Sequence, residues 1–303
     1  MTGNEEDART VSFTIGLDIG GTHVRCLSLV DGIPSEIEKT RTPRTYDELL
    51  SCVSALIDKH RRDDREASVG IGLPGRTDPE KPIWIPALPF LNQSNFTSDL
   101  AAQADCSVTL INDAQAALVG ETRLGAARGS RNSILVTLGT GIGGAIMIDG
   151  KIYVGHNGVA GSFGWLLAPV RLHPSPEHGP WERWSSGTAL ATIARNHALS
   201  IPDLLSTDPD TPAEVVDAAD DFASRIGKGL GSLAALLDPQ VVIVSGGLVD
   251  SWERLKSGVV AGFMQTASPS VRKTPIRVGK LGSTSGAIGA AFTADVAMSG
   301  LTV

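Results

Sequence analysis

The sequence lacks the features that identify disulfide-stabilised, secreted and membrane-spanning proteins. It has three cysteines in 303 residues, at positions 26, 52 and 106, and their spacing suggests no pairing. No apolar run approaches the roughly 18–20 residues that a membrane-spanning helix needs. The first seven residues are polar and acidic, whereas a secretory signal opens with a basic and then an apolar segment. We therefore expect a cytoplasmic protein with reduced cysteines that begins with a flexible tail over residues 1–12.

Strong positive charge is also absent. Lys and Arg total 26 against 33 Asp and Glu, which gives a formal net charge of −7. The sequence therefore predicts no nucleic-acid partner and no membrane partner. It contains neither a Gly-x-x-x-x-Gly-Lys-Ser/Thr loop nor a Gly-x-Gly-x-x-Gly turn between a strand and a helix with its acidic partner, which disfavours the P-loop and Rossmann types of nucleotide site.

Glycine, in contrast, is abundant, with 34 residues concentrated between predicted strands. A strand over 13–18, a turn at Gly20-Gly21-Thr22 and a strand over 24–30 are followed by an Asp-Gly hairpin turn and a third strand over 33–40. The same order returns after residue 133, with strands over 134–138 and 145–148, a glycine turn over 139–144 and a second Asp-Gly pair. This repetition predicts a duplicated domain.

The remaining segments alternate between strand and helix patterns. Helical periodicity covers seven segments and buried strands cover four, while a proline-rich stretch over 166–179 reads as a long loop. The predicted helices are 46–61, 96–104, 114–124, 188–199, 213–237, 250–266 and 286–298, and the predicted strands are 69–73, 108–111, 241–244 and 276–278. This alternation predicts an α/β protein with two related lobes.

The two glycine turns are candidate phosphate sites. Glycines leave backbone N–H groups uncovered, and such a concavity suits phosphate oxygens. Two such turns can hold the β- and γ-phosphates of one nucleotide from both sides, with the reaction in the cleft between the lobes. A turn also needs glycine wherever its backbone φ is positive. A purely structural role therefore explains either turn, taken singly, as well as phosphate binding does.

Six motifs carry a resemblance to a known family. In order along about residues 13–292, they are Asp18-Ile19-Gly20-Gly21-Thr22, Gly72-Leu73-Pro74-Gly75, Ile111-Asn112-Asp113-Ala114-Gln115-Ala116-Ala117, Leu138-Gly139-Thr140-Gly141-Ile142-Gly143-Gly144, His156-Asn157-Gly158-Val159-Ala160-Gly161 and Ser245-Gly246-Gly247. They resemble the ROK family of sugar kinases and sugar-responsive repressors. The resemblance implies a two-lobed actin/hexokinase-like (ribonuclease H-like) fold with mixed sheets, ATP and Mg²⁺ as cofactors, a carbohydrate substrate and a homodimer. The lobes would comprise residues 13–113 with the final helix, about 286–303, and residues 114–285.

The resemblance also implies roles for single residues. Asp113 falls on the family's general base, and Asn112 and Gly75 fall in its sugar site. Asp18 matches the carboxylate that holds the phosphates and Mg²⁺, and we expect its contact with Mg²⁺ to be made through water. The nucleotide-binding candidates are Asp18, Gly20, Gly21, Thr22, Gly139, Thr140, Gly141, Gly143, Gly246 and Gly247. By spacing alone, Asp113 is also an ordinary helix N-cap and Asp18 a turn-capping residue.

The sugar end departs from the family pattern. Where the family commonly has Glu-Ile-Gly-His, this chain has Ser162-Phe163-Gly164-Trp165, and the three cysteines of the family's zinc site are missing from residues 173–180. We therefore expect no zinc site, although His173 and His178 lie in that stretch. Ser162, Trp165 and Glu182 are the remaining sugar-site candidates on this side. Where the family often has an asparagine, this chain has Ala87, and Asn92 or Asn95 are candidate substitutes.

The sequence thus predicts ATP-dependent phosphoryl transfer to a hydroxyl of a sugar or sugar-like polyol, with Asp113 as the base. Two alternatives stay open. One is a sugar- or nucleotide-responsive binding protein that no longer transfers phosphate. The other is an ATPase that drives a conformational change in a partner. Polyphosphate in place of ATP is also open as the donor.

Overall fold

The computed structural model describes residues 12–61, 67–77, 85, 87–169, 172 and 175–299. Most of the predicted N-terminal tail, and His173, lie outside these ranges. The chain divides into two compact units, one made of residues 1–120 and 286–303 and the other of residues 121–285. The domain limits that we inferred from the sequence stay predictions.

The described residues form two mixed β-sheets. The strands are β1 (Phe13–Ile19), β2 (His23–Val30), β3 (Ile33–Pro34), β4 (Glu38–Arg41), β5 (Ala67–Leu73), β6 (Cys106–Asn112), β7 (Ser133–Leu138), β8 (Ile142–Ile148), β9 (Lys151–Ile152), β10 (Val241–Ser245) and β11 (Ile276–Val278). In the first unit the strand order is β3-β2-β1-β5-β6, and β4 also pairs with β2. In the second unit it is β9-β8-β7-β10-β11. Both sheets therefore join an antiparallel meander to two parallel strands, as the sequence repetition predicts.

The helices lie where their apolar spacing predicts them, with two short additions in the second unit. They are α1 (Tyr46–His60), α2 (Phe96–Ala104), α3 (Asp113–Arg123), α4 (Pro180–Ser185), α5 (Gly187–Asn196), α6 (Ile201–Leu204), α7 (Ala213–Leu237), α8 (Trp252–Thr266) and α9 (Ser285–Ser299). Helices α4 and α6 begin at or next to a proline, which suits the first turn of a helix. None of the described helices is long and apolar enough to cross a membrane.

The third predicted strand is interrupted. Instead of one strand over 33–40, the chain forms β3 and β4, and both pair with β2. The registers Leu29↔Pro34 and Cys26↔Glu38 show one extra residue between the two short strands. The N–H of Ser35 still donates to Ser28 of β2 at 2.8 Å, so the extra residue lies between Ser35 and Glu38, where the strand bulges.

Each unit has its own apolar core. In the first unit, α1 buries Leu49, Val53 and Ile57 against the sheet, and α9 packs on the other face, where Gly70 allows the backbone of Ala290 to approach closely. In the second unit, α7 and α8 cover β7 and β10. The three cysteines form no disulfide, and two of them are buried while Cys52 is half-buried.

Candidate functional site

Asp18 lies near the end of β1, on the face of the sheet that α9 covers. Its carboxylate forms an ion pair with Arg25, its cross-strand partner, at 3.3 Å. It also packs against Gly286 near the start of α9, where an added methyl group would lie 3.0 Å from Cγ of Asp18. Burial, followed by the negative charge of Asp113, raises the pKa of Asp18 to about 6, although Arg25 acts in the opposite direction. Two carboxylates of the first unit are thus close enough to interact.

Asp113 is the first residue of α3, directly after β6. Burial raises the pKa of its carboxyl group, against the backbone N–H of Ala114 and the side chain of Asn112. A raised pKa makes a carboxylate a stronger base, which suits a general base. This is the environment that the predicted role requires.

The helix cap at this point belongs to Asn112. Its Oδ1 accepts hydrogen bonds from the backbone N–H groups of Ala114 and Gln115, at 3.0 and 3.2 Å. Its Nδ2 donates to the carbonyl of Gly75 at 3.0 Å. Asn112 therefore supplies the N-cap that the spacing alone assigned to Asp113, and it fixes Gly75, whose φ of +96° suits glycine.

The first glycine turn, Gly20-Gly21-Thr22, is fastened at its base. The N–H of Gly20 donates to the carbonyl of His23 at 3.0 Å. Thr42 holds the turn twice, since its hydroxyl donates to Gly20 at 2.6 Å and its N–H to Thr22 at 3.0 Å. Among the described residues, nothing accepts a hydrogen bond from the N–H of Gly21 or Thr22. These two donors remain available to an anion.

The second glycine turn lies between β7 and β8. Gly139 donates to Gly141 at 3.0 Å, and Ile142 donates to the carboxylate of Glu182 at 2.8 Å. The N–H of Gly143 is already used by the hydroxyl of Thr137, at 3.1 Å, so Gly143 offers no free donor. No described residue accepts from the N–H of Thr140 or Gly141. The second turn thus matches the first in presenting two unpaired donors.

A pocket of about 730 Å³ opens beside the second turn. Its wall is mostly apolar and comes from three segments: the turn, helix α5 with the residues after it, and the residues that follow β10. The lining residues are Gly139, Thr140, Gly187, Thr188, Ala191, Ala194, Arg195, Leu199, Ile201, Gly247 and Leu248. Pockets of this size and character hold drug-sized and cofactor-sized molecules. Three of the predicted nucleotide-binding residues thus line one pocket. No sequence pattern indicates that α5, Leu199 and Ile201 also line it.

Gly246 and Gly247 follow β10. Gly246 has a φ of +92°, and a side chain there would collide with the backbone of Leu138. Gly247 borders the pocket with nothing within 4 Å of where a Cβ would lie. The pair therefore lets the chain pass close to the second turn and leaves the pocket open.

The remaining sugar-site candidates lie on neighbouring segments, since Glu182 packs against Gly164 next to Trp165, but their side chains make separate contacts. Ser162 donates to the carbonyl of Val159 at 2.7 Å, and Trp165 is 54% exposed. The carboxylate of Glu182 contacts Gly141 and Ile142 of the second turn on one side and His178 on the other, at 2.7 Å. Asn92 accepts from the N–H of Ile85, so it shapes its own loop.

Within the described ranges, no cluster of three or more His, Cys, Asp or Glu side chains is suited to a metal ion. One of the two histidines that prompted the zinc question, His173, is outside those ranges. The other, His178, pairs with Glu182. The expectation that zinc is absent therefore stays a prediction.

Known proteins resemble this chain over nearly its whole length. The family model described as "ROK family" matches residues 14–296. A glucokinase of Streptomyces coelicolor is 32% identical over 266 residues, which are 79% of this chain and 83% of the relative. The N-acetylgalactosamine kinase AgaK of a Shewanella species is 28% identical, over 91% of this chain and 95% of its own.

A solved structure leads to the same family. The ROK family glucokinase of Streptomyces griseus, in complex with glucose and AMPPNP, superposes with a TM-score of 0.75 at 28% identity, covering 93% of this chain and 99% of its own. The predicted actin/hexokinase-like fold with mixed sheets is thereby confirmed. The ROK family model matches most of the chain, and the six motifs occur in order along it. The chain therefore belongs to the ROK family.

Proposed function

We propose that this protein transfers the γ-phosphate of ATP to a hydroxyl group of a sugar. The observation that carries the proposal is the pair of carboxylates in the first unit, both with raised pKa, beside a turn with free N–H donors. The named kinases among the relatives support the reaction type.

In this proposal Asp113 accepts the proton of the attacking hydroxyl group. Phosphoryl transfer to an alcohol needs positioning, neutralisation of phosphate charge and a base within reach of the proton. Asn112 caps α3 and so orients Asp113, while Gly75, held by Asn112, lines the acceptor side. Burial raises the pKa of Asp113, which makes its carboxylate a stronger base.

Asp18 fits a role at the phosphates and Mg²⁺. Mg²⁺ prefers oxygen ligands, keeps several of its waters and often uses one or two carboxylates, so the single partly buried carboxylate of Asp18 suits a water-mediated contact. When bound, Mg²⁺ neutralises phosphate charge. Arg25 holds Asp18 in place through the ion pair at 3.3 Å, and the N–H groups of Gly21 and Thr22 donate to phosphate oxygens.

The second unit holds the nucleotide. We assign the apolar pocket along α5 to the adenosine, and the free N–H groups of Thr140 and Gly141 to its phosphates. Glu182 acts here through the turn: by accepting from Ile142 and packing on Gly141, it fixes the conformation in which those N–H groups are exposed.

The acceptor is a hexose or a sugar-like polyol, and its hydroxyl groups are bound by a different set of side chains from the one typical of the family. A site built to hydrogen-bond a hydroxyl can discriminate by about 10⁴–10⁵, and Ser162 and Trp165 replace two hydrogen-bonding groups of the family pattern. We further propose a homodimer, as the resemblance implies, and a location in the cytoplasm, which three cysteines without a disulfide favour. Light scattering on the purified protein tests the oligomeric state.

An ADP-release screen over hexoses, N-acetylhexosamines, polyols and inositols tests the function, with Asp113→Asn as the blank. Release of ADP that depends on one acceptor class supports the kinase. Thermal stabilisation by a sugar without ADP release from any acceptor would instead favour the binding protein. ATP turnover that is independent of acceptor would favour the ATPase.

A further inference from the structure

Four basic side chains lie on one face of the β2–β4 ladder. The register places His23 opposite Arg41 and Arg25 opposite Lys39. Residues two apart on a strand share a face, as do directly opposite residues, so the four side chains form one group, here called the basic face. Like charges directly opposite each other destabilise a sheet, so this arrangement is costly when nothing compensates it.

The carboxylates nearby compensate little of this charge. Glu38 lies on the other face of the ladder, where Val24 and Cys26 enter the core, and it pairs with Lys59 and His60. Asp18 pairs with Arg25 at 3.3 Å. Over the described ranges, no carboxylate lies within ion-pairing distance of Lys39 or Arg41, and both are exposed. In a chain of net charge −7, positive charge is thus concentrated at one place.

The basic face begins at the first glycine turn. Thr42, which follows Arg41, holds the turn through Gly20 and Thr22, and His23 closes it. The pair Arg25/Lys39 lies about 7 Å further along the strands, because each residue of a strand advances about 3.4 Å. The free N–H groups of the turn and the two pairs of basic residues therefore form a continuous track.

We propose that the basic face binds an oligophosphate chain, which continues from the first glycine turn along His23/Arg41 towards Arg25/Lys39. An extended chain of several phosphates suits the length of the track better than one phosphate group does. The chemistry is shared by a nucleotide triphosphate and by inorganic polyphosphate. The inference rests on the proposed function in one respect, that the donor is a phosphate chain.

The pKa of the His23 imidazole depends on its basic neighbours. Burial, and then Lys39, Arg25 and Arg41, lower its pKa. An anion bound among these groups would offset the three positive charges and raise the pKa of His23. The histidine therefore serves as a local probe of binding.

The test compares the wild type with a double variant, Lys39→Ala and Arg41→Ala. A matched control, Lys256→Ala and Lys273→Ala, removes the same net charge from exposed positions of the second unit. Calorimetry measures the Kd for tripolyphosphate, long-chain inorganic polyphosphate and ATP without any acceptor, so the result does not depend on kinase activity. NMR titration of the His23 imidazole, assigned with His23→Gln, is recorded with and without each ligand.

We expect the double variant to bind long-chain polyphosphate at least tenfold more weakly than the control, and the pKa of His23 to rise on binding in the wild type. Weakening confined to ATP would also support the basic face as a phosphate site and would identify the nucleotide as the source. Equal affinities of the two double variants for all three ligands, or a His23 titration that no ligand changes, would overturn the inference. If the wild type phosphorylates no sugar but still binds polyphosphate, that result would contradict the proposed function and leave the present inference standing.

Discussion

The two glycine turns occupy the same place in two sheets of the same strand order, yet their surroundings differ in charge. Before the first turn stands Asp18, paired with its cross-strand partner Arg25. The corresponding position before the second turn is Thr137, whose hydroxyl accepts a hydrogen bond from its own cross-strand partner, Gly143. The strand position before the first turn thus carries a charged pair and the one before the second turn a neutral hydroxyl group. The carboxylate at the second turn, that of Glu182, accepts from the N–H of Ile142, and an apolar pocket lies beside this turn.

This difference indicates that the first turn contributes to the chemical step and the second turn to nucleotide binding. Charged groups act most strongly where charge develops during a reaction, whereas an apolar pocket contributes binding that is similar in ground and transition states. We therefore expect substitutions around the first turn to lower kcat, and substitutions around the second turn to raise the KM for ATP. Four predictions test this contrast.

The largest effect is expected for Asp113→Asn. Loss of the base should lower kcat by about 10²–10⁴, the usual contribution of general base catalysis, while the KM for ATP changes little. Coupled ADP release measures both constants, and the melting temperature checks the fold. Asp105→Asn serves as the control, because it also removes a carboxylate from the first unit and asparagine tolerates the φ of +44° at that position. A fully active Asp113→Asn enzyme would contradict the assignment.

Asp18→Asn should lower kcat by about 10–100-fold, because a carboxylate near the transferring phosphate is lost. The wild-type rate should also fall as the pH drops below about 6, where Asp18 becomes protonated. A variant with normal kcat and an unchanged acid limb would exclude Asp18 from the reaction.

The same variant has a stability consequence. The pKa of Asp18 in the folded protein, about 6, lies above the ordinary value of 3.8 for this side chain. Protonation of Asp18 therefore stabilises the folded protein fully below pH 3.8, and this stabilisation is lost as the pH rises through 6. Removing the buried charge should therefore increase the free energy of unfolding at pH 8, by at most about 3 kcal/mol, since one pKa unit is worth about 1.4 kcal/mol. Loss of the partner of Arg25 reduces this gain. Urea titrations at pH 5 and pH 8 measure the difference, which should be smaller at pH 5.

In the second unit, Ala191→Trp should fill the pocket. We expect the KM for ATP to rise at least tenfold with little change in kcat or in the KM for the sugar, because the indole occupies the space assigned to the adenosine. Asn196→Trp adds the same side chain at an exposed position of α5 outside the pocket and is the matched control. Equal kinetics of the two variants would show that the nucleotide binds elsewhere.

The contrast between the turns was visible in the sequence only in part. Alternating strands, Asp-Gly hairpins and glycine turns predict the two sheets, because these patterns are local: Asp31-Gly32 and Asp149-Gly150 both adopt the positive φ that such hairpins need. Asp18 and Asp113 are marked by their place in the motifs. The raised pKa of either group depends on burial by segments far apart in the chain, which no local pattern contains.

Other features depend on tertiary contacts in the same way. Gly187, Thr188 and Ala191 look like ordinary residues of a helix start, and their place in a pocket follows from how α5 packs beside the second turn. The interruption between β3 and β4 is visible only in their pairing with β2. Asn112 caps α3 and also donates to Gly75, which lies 37 positions away in the sequence. The role of Glu182 changes for the same reason, since its hydrogen bond to Ile142 spans 40 positions in the sequence.

The smallest effects are expected at Glu182, where they separate support of the turn from contact with the sugar. Glu182→Ala removes the acceptor of the Ile142 N–H, a bond worth roughly 1 kcal/mol, and should raise the KM for ATP by about fivefold. Glu182→Gln keeps an acceptor oxygen and should remain near the wild type. His178→Ala should change little because its hydrogen bond to Glu182 is exposed to solvent. A direct sugar ligand would behave differently: both substitutions at Glu182 would raise the KM for the sugar and leave that for ATP unchanged. The proposed role of Glu182 is to hold Ile142 by a hydrogen bond so that the turn exposes its N–H donors. A higher KM for ATP in Glu182→Ala would therefore assign Glu182 to the turn, and a higher KM for the sugar would assign it to the sugar site.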